Sequence, residues 1–72
     1  MERRDRAAPA VVDEPVLQIL RTLAEGGTTA EAAAASNLSE ATVWRRLQAL
    51  RQAWGVGHNI QVIVHAVRRG LI

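Results

Sequence analysis

Apolar residues recur at helical spacing in four successive stretches of this chain, and each stretch closes on a glycine or an asparagine. The first carries Val16, Leu17, Ile19, Leu20 and Leu23 at the i, i+3, i+4 positions of one helix face. Asp13 stands ahead of it as an N-cap, with Glu14 and Pro15 in the first turn, where both residue types are tolerated. Gly26-Gly27 ends it. The second stretch is short and rich in alanine. Thr28-Thr29-Ala30-Glu31 fits a capping box, and a helix is expected from Ala30 to about Ser36. Ala32 to Ala35 give that helix almost no side-chain volume, so another helix can approach closely. Asn37 sits at the turn, where its tolerance of the left-handed conformation suits it.

The third stretch has the clearest pattern. Ser39 is its N-cap, and the helix runs from Glu40 to Trp54 and stops at Gly55. Val43, Leu47, Leu50 and Trp54 share one face; Ala41, Arg45, Gln48 and Gln52 share the opposite one, with Trp44 and Arg46 on the flanks. After the loop Gly55-Val56-Gly57-His58, Asn59 is expected to cap a fourth helix from Ile60 to Arg69, ended by Gly70. Gln61-Val62-Ile63-Val64 also suits a strand, being β-branched. A lone strand has no partner here, so helix is preferred. Val62, Ile63 and Ala66 then lie on one side and Ile60, Val64 and Val67 on the other. One small domain cannot cover both sides, which predicts self-association.

The chain has 72 residues, enough for one domain. Residues 1–11, charged and rich in alanine and proline, are expected to form a disordered basic arm, and residues 12–72 the domain. A domain this small buries only about 60% of the surface of its unfolded chain and commonly needs disulfides, a metal or a partner subunit. There is no cysteine, and His58 and His65 do not make a metal site, so a partner subunit is the remaining option. No run of 18 apolar residues spans a membrane, and the N-terminus lacks the apolar core of a signal peptide. A cytoplasmic location at the nucleoid is expected.

Charge divides the chain. Residues 1–40 hold four Arg and seven acids, net −3, whereas residues 41–72 hold five Arg and no acid, net +5. A segregated positive half points to a polyanion. All nine cations are Arg, which forms bidentate contacts to phosphate and guanine better than Lys does, although a GC-rich genome also favours Arg codons. A short capped helix, a turn and a basic amphipathic helix are, in that order, what a helix-turn-helix needs to push its second helix into a DNA major groove. An enzyme is not expected. The chain has no cysteine, no carboxylate pair placed for catalysis and no phosphate-binding glycine loop; Ser39 is a cap rather than a nucleophile. No cofactor, metal or small-molecule substrate is expected.

Four segments together resemble the DNA-binding domain of LuxR-type (LuxR/GerE) regulators: ILRTLAEGG, TTAEAAAASNLSEATV, WRRLQALRQAWGV and NIQVIVHAVRRGLI, in order and without a gap from Asp13 onward. The resemblance implies an all-α, four-helix (tetrahelical) helix-turn-helix fold, standing alone, with the third helix in the major groove and the fourth forming a dimer contact. It places base-reading positions at Ala41, Trp44 and Arg45, with Gln48 one turn further on. Phosphate-contacting positions fall at Thr28, Thr29, Thr42 and Arg46, to which Arg51 and Gln52 are added. The dimer interface takes in Ile60, Gln61, Val64, Val67 and Arg68. The chain departs from the family where Val16 replaces an acidic residue, Ala32 and Ser36 replace large aliphatics, Trp54 replaces a leucine and Trp44 replaces a polar or basic residue.

Arg45 is read as a guanine contact and Gln48 as an adenine contact, by the bidentate geometry of each side chain. For Trp44 two readings stand, contact with a thymine methyl or sugar and packing over the domain edge. His58 and His65 are read as structural or surface residues. The function expected is a homodimeric, sequence-specific regulator of transcription on double-stranded DNA. The alternative is a protein-interaction module docking on RNA polymerase, a sigma factor or a larger regulator.

Overall fold

The computed structural model describes residues 12–72, and the expected arm lies outside them. The described residues form four α-helices and no strand: α1 (Glu14–Ala24), α2 (Thr29–Ser36), α3 (Glu40–Trp54) and α4 (Asn59–Arg68). The all-α, four-helix expectation holds, including helix rather than strand at Gln61–Val64.

Side-chain caps set the starts of the first three helices. The Asp13 carboxylate accepts from the Val16 N–H at 3.1 Å. Thr28 and Glu31 form a reciprocal capping box, with bonds of 3.0 and 2.8 Å. The Ser39 hydroxyl accepts from the Thr42 N–H at 3.1 Å. Each bond satisfies a donor the helix itself leaves without a partner. The fourth start differs from expectation. His58 is the N-cap and Asn59 is the first helical residue. The Asn59 side chain accepts instead from Arg51 of α3. The capping oxygen comes from Gln61, which accepts from the Gly57 and His58 N–H groups at 2.9 Å each.

All four helices end by one mechanism. A left-handed residue (Gly26, Asn37, Gly55 or Gly70) is followed by a residue whose N–H donates to the carbonyl five positions back. In three of the four, that following residue is aliphatic, and Leu38, Val56 and Leu71 all pack against the core. The first helix uses Gly27 instead, because a Cβ there would stand 2.6 Å from the Thr22 methyl and 2.9 Å from the Thr22 carbonyl oxygen. These closures turn the chain within three or four residues, so the second and third helices meet across Asn37-Leu38-Ser39 alone, as a helix-turn-helix requires.

The core draws on every helix: Val16, Ile19 and Leu20 from α1, Ala32 and Ala33 from α2, Val43, Leu47 and Leu50 from α3, and Val62, Ile63 and Ala66 from α4. Leu23 and Trp54 are partly buried against it rather than enclosed. Trp54 stacks on His65 of α4, ring centroids 4.5 Å apart, with the Arg69 guanidinium 5.8 Å from the Trp54 ring centre. That arrangement fixes the α3–α4 junction.

Candidate nucleic-acid interface

The third helix is held from one side only. Val43, Leu47 and Leu50 are fully buried, while Ala41, Arg45 and Gln52 on the opposite face are exposed and Gln48 is half-buried. Both caps of the helix are made and its seam is packed, so the outer face is presented on a rigid rod. Trp44 is 54% exposed on the flank. Ala41, Trp44, Arg45 and Gln48 thus lie within two turns of one another on the solvent side of α3.

Hydrogen bonding distinguishes the cations. Arg45 donates to the Thr42 hydroxyl at 3.3 Å. Arg46 lies 3.6 Å from the Asp13 carboxylate that caps α1. Arg51 is half-buried and donates to Asn59. Thr28 is exposed at the start of α2, where its hydroxyl accepts from the Glu31 N–H and keeps its own proton for another acceptor. Thr29 and Thr42 are half-buried and Gln52 is exposed.

The fourth helix buries Val62, Ile63 and Ala66 and leaves Ile60, Val64 and Val67 at 67, 42 and 54% exposure, which is the two-sided arrangement its sequence implies. A pocket of about 290 Å³ on this side is lined by Val56, Ile60, Gln61, Val64, His65 and Arg68. Gln61 and Arg68 are exposed beside the aliphatic stripe. His58 is exposed at the N-cap; His65 is half-buried in its stack with Trp54, and its Nε2 is buried without a hydrogen-bond partner.

Sequence reasoning missed the links between elements. Nothing local joins Asp13 to Arg46, which are far apart in the chain, or Trp54 to His65. Arg51 and Asn59 lie on different helices and pair only because Gly55 turns the chain back. The bond among Ser39, Thr42 and Arg45 was legible in principle, since those residues recur every third position on one helix.

The family model described as bacterial regulatory helix-turn-helix protein, lysR family, matches residues 16–57, more than half of the chain. No curated protein and no solved structure matches it. The match overturns the resemblance to LuxR-type domains. Three of the four segments that carried that resemblance are a helix closed by glycine, a capped second helix with its turn, and a basic helix, features that follow from helix-turn-helix geometry itself; the fourth, NIQVIVHAVRRGLI, lies beyond the matched residues. Val16, Ala32 and Ser36, where the chain departs from the LuxR-type pattern, are all buried, and Ser36 donates within α2 to the Ala32 carbonyl at 2.7 Å.

Proposed function

This chain belongs to the lysR family of bacterial regulatory helix-turn-helix proteins, and we propose that it reads a specific double-stranded DNA sequence with α3 in the major groove, as a homodimer on an inverted repeat. The family makes it a DNA-binding regulator of transcription. The finer reading rests chiefly on one observation, the exposed polar face of α3 backed by the buried seam of Val43, Leu47 and Leu50.

Base contacts are assigned to Ala41, Trp44, Arg45 and Gln48. Arg45 matches the O6 and N7 acceptors of guanine and Gln48 the N6 and N7 of adenine, while Ala41 and Trp44 offer apolar surface to a thymine methyl or a sugar. Backbone contacts are assigned to Thr28, Thr29, Thr42, Arg46, Arg51 and Gln52, which would fix register without reading sequence. Arg51 would keep its remaining guanidinium donors for phosphate while Asn59 holds one of them. The dimer contact is assigned to Ile60, Gln61, Val64, Val67 and Arg68. Its support is the exposed aliphatic stripe and the pocket beside it. Two-fold symmetry would then set half-sites about one helical turn apart, on DNA of the bacterial nucleoid.

Selection of binding sites from a random duplex pool, at moderate salt, tests this reading. Enrichment of an inverted repeat is expected, and Arg45→Ala should lose the preference at one base pair of each half-site while staying folded. Unchanged specificity in Arg45→Ala would remove the base-contact assignment. A second reading has one observation in its favour. The exposed Trp44, flanked by Arg45 and Arg46, has the composition of a protein-interface hot spot. No enrichment from the pool, with capture of an acidic transcription protein, would favour that reading.

A further inference from the structure

The hydroxyls within the helices are not all used alike. Thr22 donates to the carbonyl of Gln18 at 2.8 Å and Ser36 to that of Ala32 at 2.7 Å, the usual back-bond four residues along a helix. Thr42 is engaged differently. Its oxygen accepts from the Ser39 hydroxyl at 2.9 Å and from the Arg45 guanidinium at 3.3 Å. Ser39 in turn accepts from the Thr42 N–H at 3.1 Å. The N-cap therefore anchors Thr42 twice, and Thr42 holds Arg45.

We infer that Thr42 is a positioning residue that sets the Arg45 guanidinium for base reading, an inference that rests on the assignment of Arg45 as a base contact. A hydroxyl oxygen accepts two hydrogen bonds. With the Ser39 and Arg45 donors in place, both acceptor sites of Thr42 are occupied, so its oxygen faces Arg45 purely as an acceptor. The bond runs three residues back along α3 and draws an exposed, many-rotamer side chain toward the N-terminal half of the helix. That half is the one whose residues reach base edges in helix-turn-helix complexes. An Arg restrained before binding loses less rotamer freedom on binding, and it arrives in fewer wrong geometries. The proton of the Thr42 hydroxyl remains free for a phosphate oxygen, so one residue joins the backbone contact to the base contact.

The experiment compares Thr42→Val, Thr42→Ser, Arg45→Ala and the Thr42→Val/Arg45→Ala double variant of the full chain on the selected duplex and on single-base-pair variants of it. Helical content and melting temperature are followed in parallel. Thr42→Val keeps the N–H that Ser39 caps and removes only the hydroxyl. It should lower discrimination at the Arg45 base pair by about two- to tenfold, the span of one ordinary hydrogen bond. Thr42→Ser should restore that discrimination, and the double variant should show no further loss beyond Arg45→Ala at that pair. A Thr42→Val protein that binds every duplex more weakly by one common factor, with its preference at each base pair intact, would overturn the positioning role and leave a phosphate contact alone. If Arg45→Ala itself leaves every preference unchanged, the base assignment has failed and the positioning role falls with it.

Discussion

The Arg46 guanidinium of α3 lies 3.6 Å from the Asp13 carboxylate, and the other oxygen of that carboxylate caps α1. One acid therefore starts the first helix and partly neutralises a cation beside the proposed DNA-reading face. Both side chains are more than a third exposed, so the pair contributes little to stability and acts mainly on the charge that the face presents.

Asp13→Asn separates these two roles. Asn caps as well as Asp, so stability should change little, whereas Asp13→Ala should cost about 0.5–2 kcal/mol. Both variants free Arg46. Affinity for duplex of any sequence should rise by about two- to fivefold, the scale of one surface ion pair. Fluorescence anisotropy across a salt series, beside chemical denaturation, measures both effects. Unchanged affinity would place Arg46 off the DNA backbone.

Gly27 is required for a close approach rather than for an unusual backbone angle. Gly27→Ala would push a Cβ against the methyl and the carbonyl oxygen of Thr22, at 2.6 and 2.9 Å. A loss of about 1–3 kcal/mol is expected, in the range of overpacking. Thr22→Ser removes the methyl but leaves the carbonyl, so Thr22→Ser/Gly27→Ala should recover only part of that loss in urea denaturation.

Leu47 and Leu50 are 0 and 1% exposed on the seam that carries the reading face. Leu47→Ala or Leu50→Ala should cost about 2–5 kcal/mol. In a domain of this size such a change unfolds a large share of the molecules, so DNA binding should fall in step with the folded fraction measured by circular dichroism. Binding lost from fully folded protein would show that the seam does more than support.

The proposed dimer carries a salt signature of its own. The fourth helix has Arg68 and, just past its end, Arg69, with no acid, so contact with a second copy sets like charges near one another. Salt screens that repulsion, so self-association should tighten with added salt while DNA affinity falls steeply. Sedimentation across a salt series reads the first effect and anisotropy the second. Val64→Glu should abolish the dimer without unfolding the chain, because Val64 is 42% exposed. A dimer that survives Val64→Glu would move the interface off α4.

What the sequence determined by itself was most of what neighbours within about one helical turn govern, the start of α4 at His58 and Gln61 excepted. Asp13, Thr28 and Ser39 as caps, Asn37 as the left-handed turn residue, and the opposition of Val43, Leu47 and Leu50 to Arg45 and Gln52 all follow from hydrogen bonds and periodicities spanning three or four residues. The same locality explains why the helix-turn-helix was legible and its family was not. Capped helices joined by a short turn look alike in many sequences. Only the tertiary structure decided which side chains meet across elements. Asp13 reaches Arg46, Asn59 turns from capping α4 to holding Arg51, and Trp54 leaves the enclosed core to stack on His65. Each of those pairings joins two helices whose approach is set by burying the shared core, and that packing has no period along the chain from which to read it.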